Sequence, residues 1–148
     1  MSFPAQQQSL RTRVFGTNWQ PVVVGLVVTA VIAAVGFFIG RADLTLTSPG
    51  VGGLVGGFHY GKNTGDSAGL GLRIGMVSVA LATGGAVSFV VFRAVYLGET
   101  EAAAPLPFVL YYGLGYLLVG GLLATIGGAV GTNLRRTLVP HEYNPPLH

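Results

Sequence analysis

Charge is absent from four long stretches of this chain, residues 14–40, 44–61, 74–92 and 102–134, and each of them is apolar or glycine-rich. A hydrocarbon layer about 30 Å thick takes roughly 20 residues of helix to cross. Because no water reaches its interior, every backbone polar group must be satisfied within the segment, which favours helices over any open structure. The spacing therefore predicts an all-α polytopic integral membrane protein, with four transmembrane helices in a glycine-rich antiparallel bundle joined by short loops.

The expected organisation is a cytoplasmic segment over residues 1–18, a transmembrane domain over 19–134, and a cytoplasmic tail over 135–148. Spans are expected at about 19–40, 44–61, 70–92 and 104–133. Phe15 and Trp19 stand where an interfacial aromatic belt belongs, and Pro21 suits a first helical turn, where its missing N–H has no partner to lose. The apolar run 21–39 exceeds the ~7–15 residues of a signal-peptide core, and Gly40, Arg41 and Ala42 make a poor cleavage site. It is read as a retained helix. Lys62, Asn63, Thr64, Gly65, Asp66 and Ser67 form a polar turn in which Asp66 or Ser67 caps the third helix. Pro105 and Pro107 suit the start of the fourth, and the tail 137–148, with Pro140, Pro145 and Pro146, is expected to be irregular.

The second stretch is the ambiguous one. Ser48, Pro49 and Gly50 interrupt it, so it reads either as a kinked span or as a re-entrant hairpin. Lys and Arg near span ends concentrate on the cytoplasmic side. With four spans, Arg11, Arg13, Lys62, Arg73, Arg135 and Arg136 face Arg41 and Arg93, six against two. Without the second crossing the split is five against three, and the termini fall on opposite sides. Charge thus favours four spans with both termini cytoplasmic, in the cell membrane.

Composition narrows the function. Half of the residues are hydrophobic (51%) and only 9% are charged, which is far from soluble-domain usage. The net charge of +3 is spread over short loops and makes no basic stripe, so lipid headgroups rather than nucleic acid are its partners. Without cysteine there is no thiol nucleophile, thiolate ligand or disulfide. No Asp, Glu, Lys or Arg sits in mid-span, as an ion-coupled carrier usually requires. His59 lies beside Tyr60 and Lys62 near a span end, which fits an interfacial histidine better than a proton relay. His141, Glu142 and His148 lack the fixed tetrahedral set a zinc site needs. The glycines around Asp66 lack the spacing and lysine of a phosphate-binding loop. The expectation is a protein that is not an enzyme and carries no cofactor and no metal.

Small residues at four- and seven-residue spacing are the strongest pattern left. They leave a groove on a helix through which a neighbouring backbone approaches closely. Gly25, Thr29 and Ala33 form one file and Gly84 and Ser88 another. The second segment carries Gly53, Gly57 and Gly61, with Gly52 and Gly56 alongside. The fourth carries Gly113, Gly120 and Gly127 one heptad apart, then Gly121, Gly128 and Gly131. Gly53, Gly57, Gly61, Gly113, Gly120, Gly127, Gly128 and Gly131 are the candidate helix-packing or oligomer-interface residues. They serve either close packing within one bundle or contact between subunits, with the fourth segment the best candidate for the latter.

The glycine cluster at 52, 53, 56 and 57, followed by Thr64, Gly65, Asp66, Ser67 and Ala68 and a helix carrying Gly71 and Gly75, resembles a family of small uncharacterised haloarchaeal membrane proteins. Ser67 stands where those proteins commonly have another glycine. The resemblance implies four short spans and a domain of unknown function, and it implies no activity. The functional expectation is a structural or accessory membrane protein that packs through glycine faces, as a homo-oligomer or a subunit of a larger membrane complex. The alternative is an oligomeric passive channel or small-solute permease.

Overall fold

The computed structural model describes residues 19–140, and residues 1–18 and 141–148, with Arg11, Arg13, Phe15, His141, Glu142, Pro145, Pro146 and His148, lie outside it. The described residues fold into four α-helices, α1 (Gln20–Phe38), α2 (Ala42–Tyr60), α3 (Thr64–Tyr96) and α4 (Leu106–Leu138), with a 3-10 turn at Thr100–Ala103. No strand occurs among the described residues. Residues 39–41 and 61–63 are too few to do anything but reverse the chain, so α1, α2 and α3 run antiparallel in turn.

The first reversal is built on Gly40, whose φ of +71° is open to glycine at no steric cost. It lets Arg41 N–H reach Gly36 O at 2.7 Å while Gly40 N–H reaches Phe37 O at 3.2 Å, so two of the last carbonyls of α1 are satisfied as in a Schellman turn. Arg41 then pairs with Asp43 at 2.6 Å. The hydrogen bond from Arg41 holds the Asp43 carboxyl below its usual range, but with both side chains exposed the pair does little for stability.

The cap of α3 differs from the expected one. Asn63, not Asp66 or Ser67, stands at the N-cap, and its side-chain oxygen accepts from Gly65 N–H at 3.1 Å. α3 consequently begins at Thr64, ahead of the expected 70. Asp66 falls in the first turn, where its charge complements the helix dipole, and Ser67 is fully buried between helices. α4 likewise outruns its expected end, so Thr137 and Leu138 are helical rather than irregular.

The ambiguous second segment is a single continuous helix of 19 residues with Pro49 inside it, which rules out the re-entrant hairpin. Pro49 has no N–H for the carbonyl of Thr45, one turn back. The Ser48 hydroxyl donates to that oxygen at 2.8 Å. Tyr116 of α4 donates its hydroxyl to the neighbouring Leu46 O. The one carbonyl that the proline leaves without a backbone donor is thus satisfied by a side chain, and the carbonyl beside it gains a donor from another helix.

Helix α2 is the hub of the bundle, packed along α1 and α4 and also against α3; α3 and α4 pair along their lengths, and α1 meets α3 more narrowly. That narrow contact is an apolar cluster of Val22, Leu70 and Ile74, flanked by Leu26 and Tyr60. Elsewhere the interior is made of small residues. Val22, Leu70, Ile74, Val79 and Ala124 are the only buried hydrophobics among the described residues, whereas Val27, Leu81, Phe89, Leu118, Leu122 and Ile126 are all more than half exposed. A soluble protein rarely exposes so continuous an apolar surface. Among the described residues three helical stretches are long and apolar enough to cross a membrane: Gln20–Phe38, Thr64–Tyr96 and Thr100–Leu138. α2 matches α1 in length but not in hydropathy, because glycine and hydroxyl residues replace its larger apolar ones.

Candidate functional site

Glycines put the helix backbones in direct contact. On one flank of α2, a Cβ at Gly53 would overlap the carbonyl oxygen of Ala124, and one at Gly57 the carbonyl oxygen of Gly128. Facing them from α4, a Cβ at Gly127 would overlap Gly50 O, one at Gly131 would overlap Leu54 O, and one at Gly128 would overlap Ser67 O of α3. On the opposite flank of α2, a Cβ at Gly52 would meet Gly25 O at 2.5 Å, and one at Gly56 would meet the Ile74 methyl at 2.6 Å. The two adjacent glycine files therefore let α1 and α4 approach α2 from opposite sides.

The remaining candidates are placed within the same chain as well. Gly120 faces the Val79 side chain, with a would-be Cβ at 2.7 Å, and Gly113 faces Thr83, at 2.5 Å. Gly61 ends α2 at φ +62°, where its N–H reaches Gly57 O at 3.0 Å. All eight candidates thus line contacts inside one chain. The glycines with open space around them are others, among them Gly84 and Gly85 on α3 and Gly115 on α4.

Where α2 ends, polar groups lock three helices together. Thr132 of α4 is fully buried, with its hydroxyl 2.9 Å from Gly57 O of α2 and 2.5 Å from the Ser67 hydroxyl of α3. Ser67 in turn lies 2.7 Å from Asn63 O. Two hydroxyl protons serve three contacts, so the chain runs either from Thr132 through Ser67 to Asn63 O or from Ser67 through Thr132 to Gly57 O. Both directions tie α3 to α4.

A helix leaves its last carbonyls without intrahelical donors. For α2 these are supplied by α4: Arg135 donates from one nitrogen to Phe58 O at 3.0 Å and to His59 O at 2.9 Å. Arg136 donates to Lys62 O in the following turn. The guanidinium groups also place positive charge against the negative end of the α2 dipole. His59, the candidate interfacial histidine, is exposed in this last turn and contributes its carbonyl. These arginine caps escaped the sequence reading, which treated Arg135 and Arg136 only as charges closing a span. A basic pair in the last turn of one helix does not reveal which other helix end it meets.

Gly61 serves two needs at this point, a positive φ and room for Arg135, whose Cδ would lie 2.5 Å from an added Cβ. Gly61→Ala is expected to destabilise the folded protein by about 1–2 kcal/mol from the left-handed backbone alone. A thermal unfolding midpoint in detergent equal to wild type would contradict this.

Among the described residues no group of three His, Cys, Asp or Glu side chains is placed to hold a metal. Over the described residues the chain is all-helical, with three helices long and apolar enough to cross a membrane, glycines at contacts between helices and arginines at the end of α2. It belongs to DUF5518, a family of unknown function, whose model matches residues 19–134. The match runs from the N-cap of α1 into the last turns of α4. No curated protein and no solved structure matches the chain.

Proposed function

We propose that this chain is a four-span integral membrane protein, with both termini cytoplasmic, that works as a structural or accessory component by associating with copies of itself or with a larger membrane complex. It is not an enzyme. The observation that carries this reading is the inverted packing, with glycine backbones inside and large apolar side chains outside. Such a surface is stable only against lipid or another apolar helix.

α2 is read as the fourth span because three-residue connections tie it to α1 and α3, so it runs through the same layer as they do. The α3 helix has 33 residues, about 50 Å at 1.5 Å per residue, and so exceeds the hydrocarbon layer. Its uncharged stretch 74–92, bracketed by Arg73 and Arg93, sets the part within the layer. The antiparallel order puts the start of α1 and the end of α4 on one side, together with Lys62, and the six-to-two distribution of Lys and Arg favours that side as the cytoplasm. The haloarchaeal resemblance belongs to the same proposal.

Backbone-to-backbone contact along α2 leaves a single copy no aqueous path, which counts against a channel within one chain. Glycines already engaged inside the bundle are unavailable to a partner. Association is therefore assigned to the faces around Gly84, Gly85 and Gly115, where no described residue comes within 4 Å of an added Cβ. Extraction in mild detergent is expected to give a particle larger than the monomer, and purified protein in liposomes is expected to pass no more ion or small solute than empty liposomes. Flux above the empty control would replace this reading with a passive channel formed between copies.

A further inference from the structure

Above the Val22, Leu70 and Ile74 contact, α1 and α3 part, and a cavity of about 530 Å³ opens between them. Ala30 and Ala33 form one wall, Ala82 the other, and Pro49 the floor, with Tyr116 closing the back. Val27 and Leu81 stand at its edges, 57% and 67% exposed, so the cavity opens sideways from the bundle rather than toward either end.

Two observations fix what this cleft can accept. The first is its depth. Ala33 lies eight residues before Arg41 and Ala82 eleven before Arg93, about 12–16 Å along those helices, whereas Thr45 on the α2 side comes only two residues after Asp43. Ser78, at the other end of the cleft, still lies inside the uncharged stretch that begins after Arg73. On the membrane reading above, on which this inference rests, the cleft therefore runs from beside the Arg41–Asp43 turn into the hydrocarbon layer, with most of its lining inside the layer.

The second is the state of its hydroxyl groups. Five line it, and every one already donates to a carbonyl of the chain. Thr29 donates to Gly25 O at 2.9 Å, Thr45 to Ala33 O at 3.3 Å, Ser48 to Thr45 O at 2.8 Å and Ser78 to Gly75 O at 3.0 Å, while Tyr116 donates to Leu46 O. No charged side chain lines the space. A polar solute would find no free hydroxyl donor there and only a few hydroxyl oxygens to donate to, so most of its lost hydration would go unreplaced. Apolar cavities of this kind stay dry and take up hydrocarbon instead.

From this we infer that the cleft between α1 and α3 is a binding site for one hydrocarbon tail of a membrane lipid, entering sideways between Val27 and Leu81. The occupant is held by shape and dispersion, with the headgroup outside the cleft and unselected by it. A tail seated there fills the gap that α1 and α3 leave, and so joins two helices whose direct contact is otherwise confined to one end.

The test uses the full chain reconstituted in vesicles of a single monounsaturated phosphatidylcholine, solubilised, washed stepwise with detergent and weighed by native mass spectrometry. The wild type is expected to keep one phosphatidylcholine after the wash that strips the rest. Ala82→Trp fills the cleft from α3 and Ala30→Trp fills it from α1; both are expected to keep none. Leu122→Trp, on an exposed part of α4 outside the cleft, is expected to keep one. Retention in both cleft variants equal to wild type overturns the inference, and so does an equal loss in Leu122→Trp, which would mark the lipid as unspecific. Protein that never enters the vesicles overturns the membrane reading and the inference together. Protein that enters and keeps no lipid overturns the inference alone.

Discussion

Gly57→Leu is expected to abolish the folded monomer, whereas Gly84→Leu is expected to leave it intact. Both substitutions put the same side chain on a long helix, and intrinsic helix propensity favours leucine over glycine by almost 1 kcal/mol at either site. The difference lies in what the new atoms meet. At position 57 the first of them falls on the main chain of Gly128, with its Cα and carbonyl carbon at 2.8 Å. Main chain cannot rotate away as a side-chain end can, so α2 and α4 must separate. Overpacking of a tight contact typically costs about 1–3 kcal/mol, and occasionally more where no side chain is free to yield. Separation of α2 from α4 also breaks the Thr132 contact with Gly57 O and removes Arg135 from the α2 terminus. At position 84 nothing lies within reach. Size-exclusion chromatography and thermal unfolding in detergent separate the two outcomes. If Gly57→Leu unfolds at the wild-type temperature, the glycine contact does not hold the bundle. Gly84→Leu carries a second expectation: a folded monomer that no longer enters the larger particle.

How much of this was legible beforehand depended on whether the controlling interaction was local. The four helices announce themselves because each lies between charges, and the expected limits of the first, 19–40, come within two residues of the observed Gln20–Phe38. Limits set by capping were less accessible. Asn63, Asp66 and Ser67 are all competent N-caps. What decides among them is that Ser67 faces Thr132, sixty-five residues away in sequence. The ambiguity of 44–61 had the same origin. Ser48, Pro49 and Gly50 look like a break because the proline removes a backbone donor. Only the fold shows that Tyr116, seventy residues on, reaches a carbonyl beside it.

The glycine pattern was visible as spacing but not as direction. Adjacent files at 52, 56 and 53, 57 could serve one partner or two. With α1 and α3 on one flank and α4 on the other, they face different neighbours, and the hub helix lacks the long apolar window that the other three carry. Low hydropathy in α2 is therefore tied to its central position: where a neighbouring backbone packs against it there is room only for glycine, and its exposed large apolar residues are few, Leu46 and Val51 among them.

The second large effect is expected at Arg135, and it distinguishes a cap from a mere surface charge. In Arg135→Leu the carbonyls of Phe58 and His59 lose their common donor at an end of α2 where no intrahelical N–H is available. Hydrogen bonds to charged groups contribute about 1.5–3 kcal/mol, and an acceptor left unsatisfied and partly buried costs a similar amount. Loss of positive charge from the negative end of the dipole adds to this, by up to ~1 kcal/mol. Arg135→Lys keeps the charge but replaces the planar, pre-organised guanidinium with a compact ammonium on a flexible stem, so it is expected to recover the dipole part and only part of the hydrogen bonding. The expected order of unfolding midpoints in detergent is wild type, then Arg135→Lys, then Arg135→Leu. Arg136 offers an internal comparison, because its contact is with Lys62 O in the turn beyond α2 rather than with the helix end itself. Arg136→Leu is accordingly expected to fall above Arg135→Leu. Equal losses at both positions would mean that net charge at this face, and not capping of α2, is what the two arginines contribute.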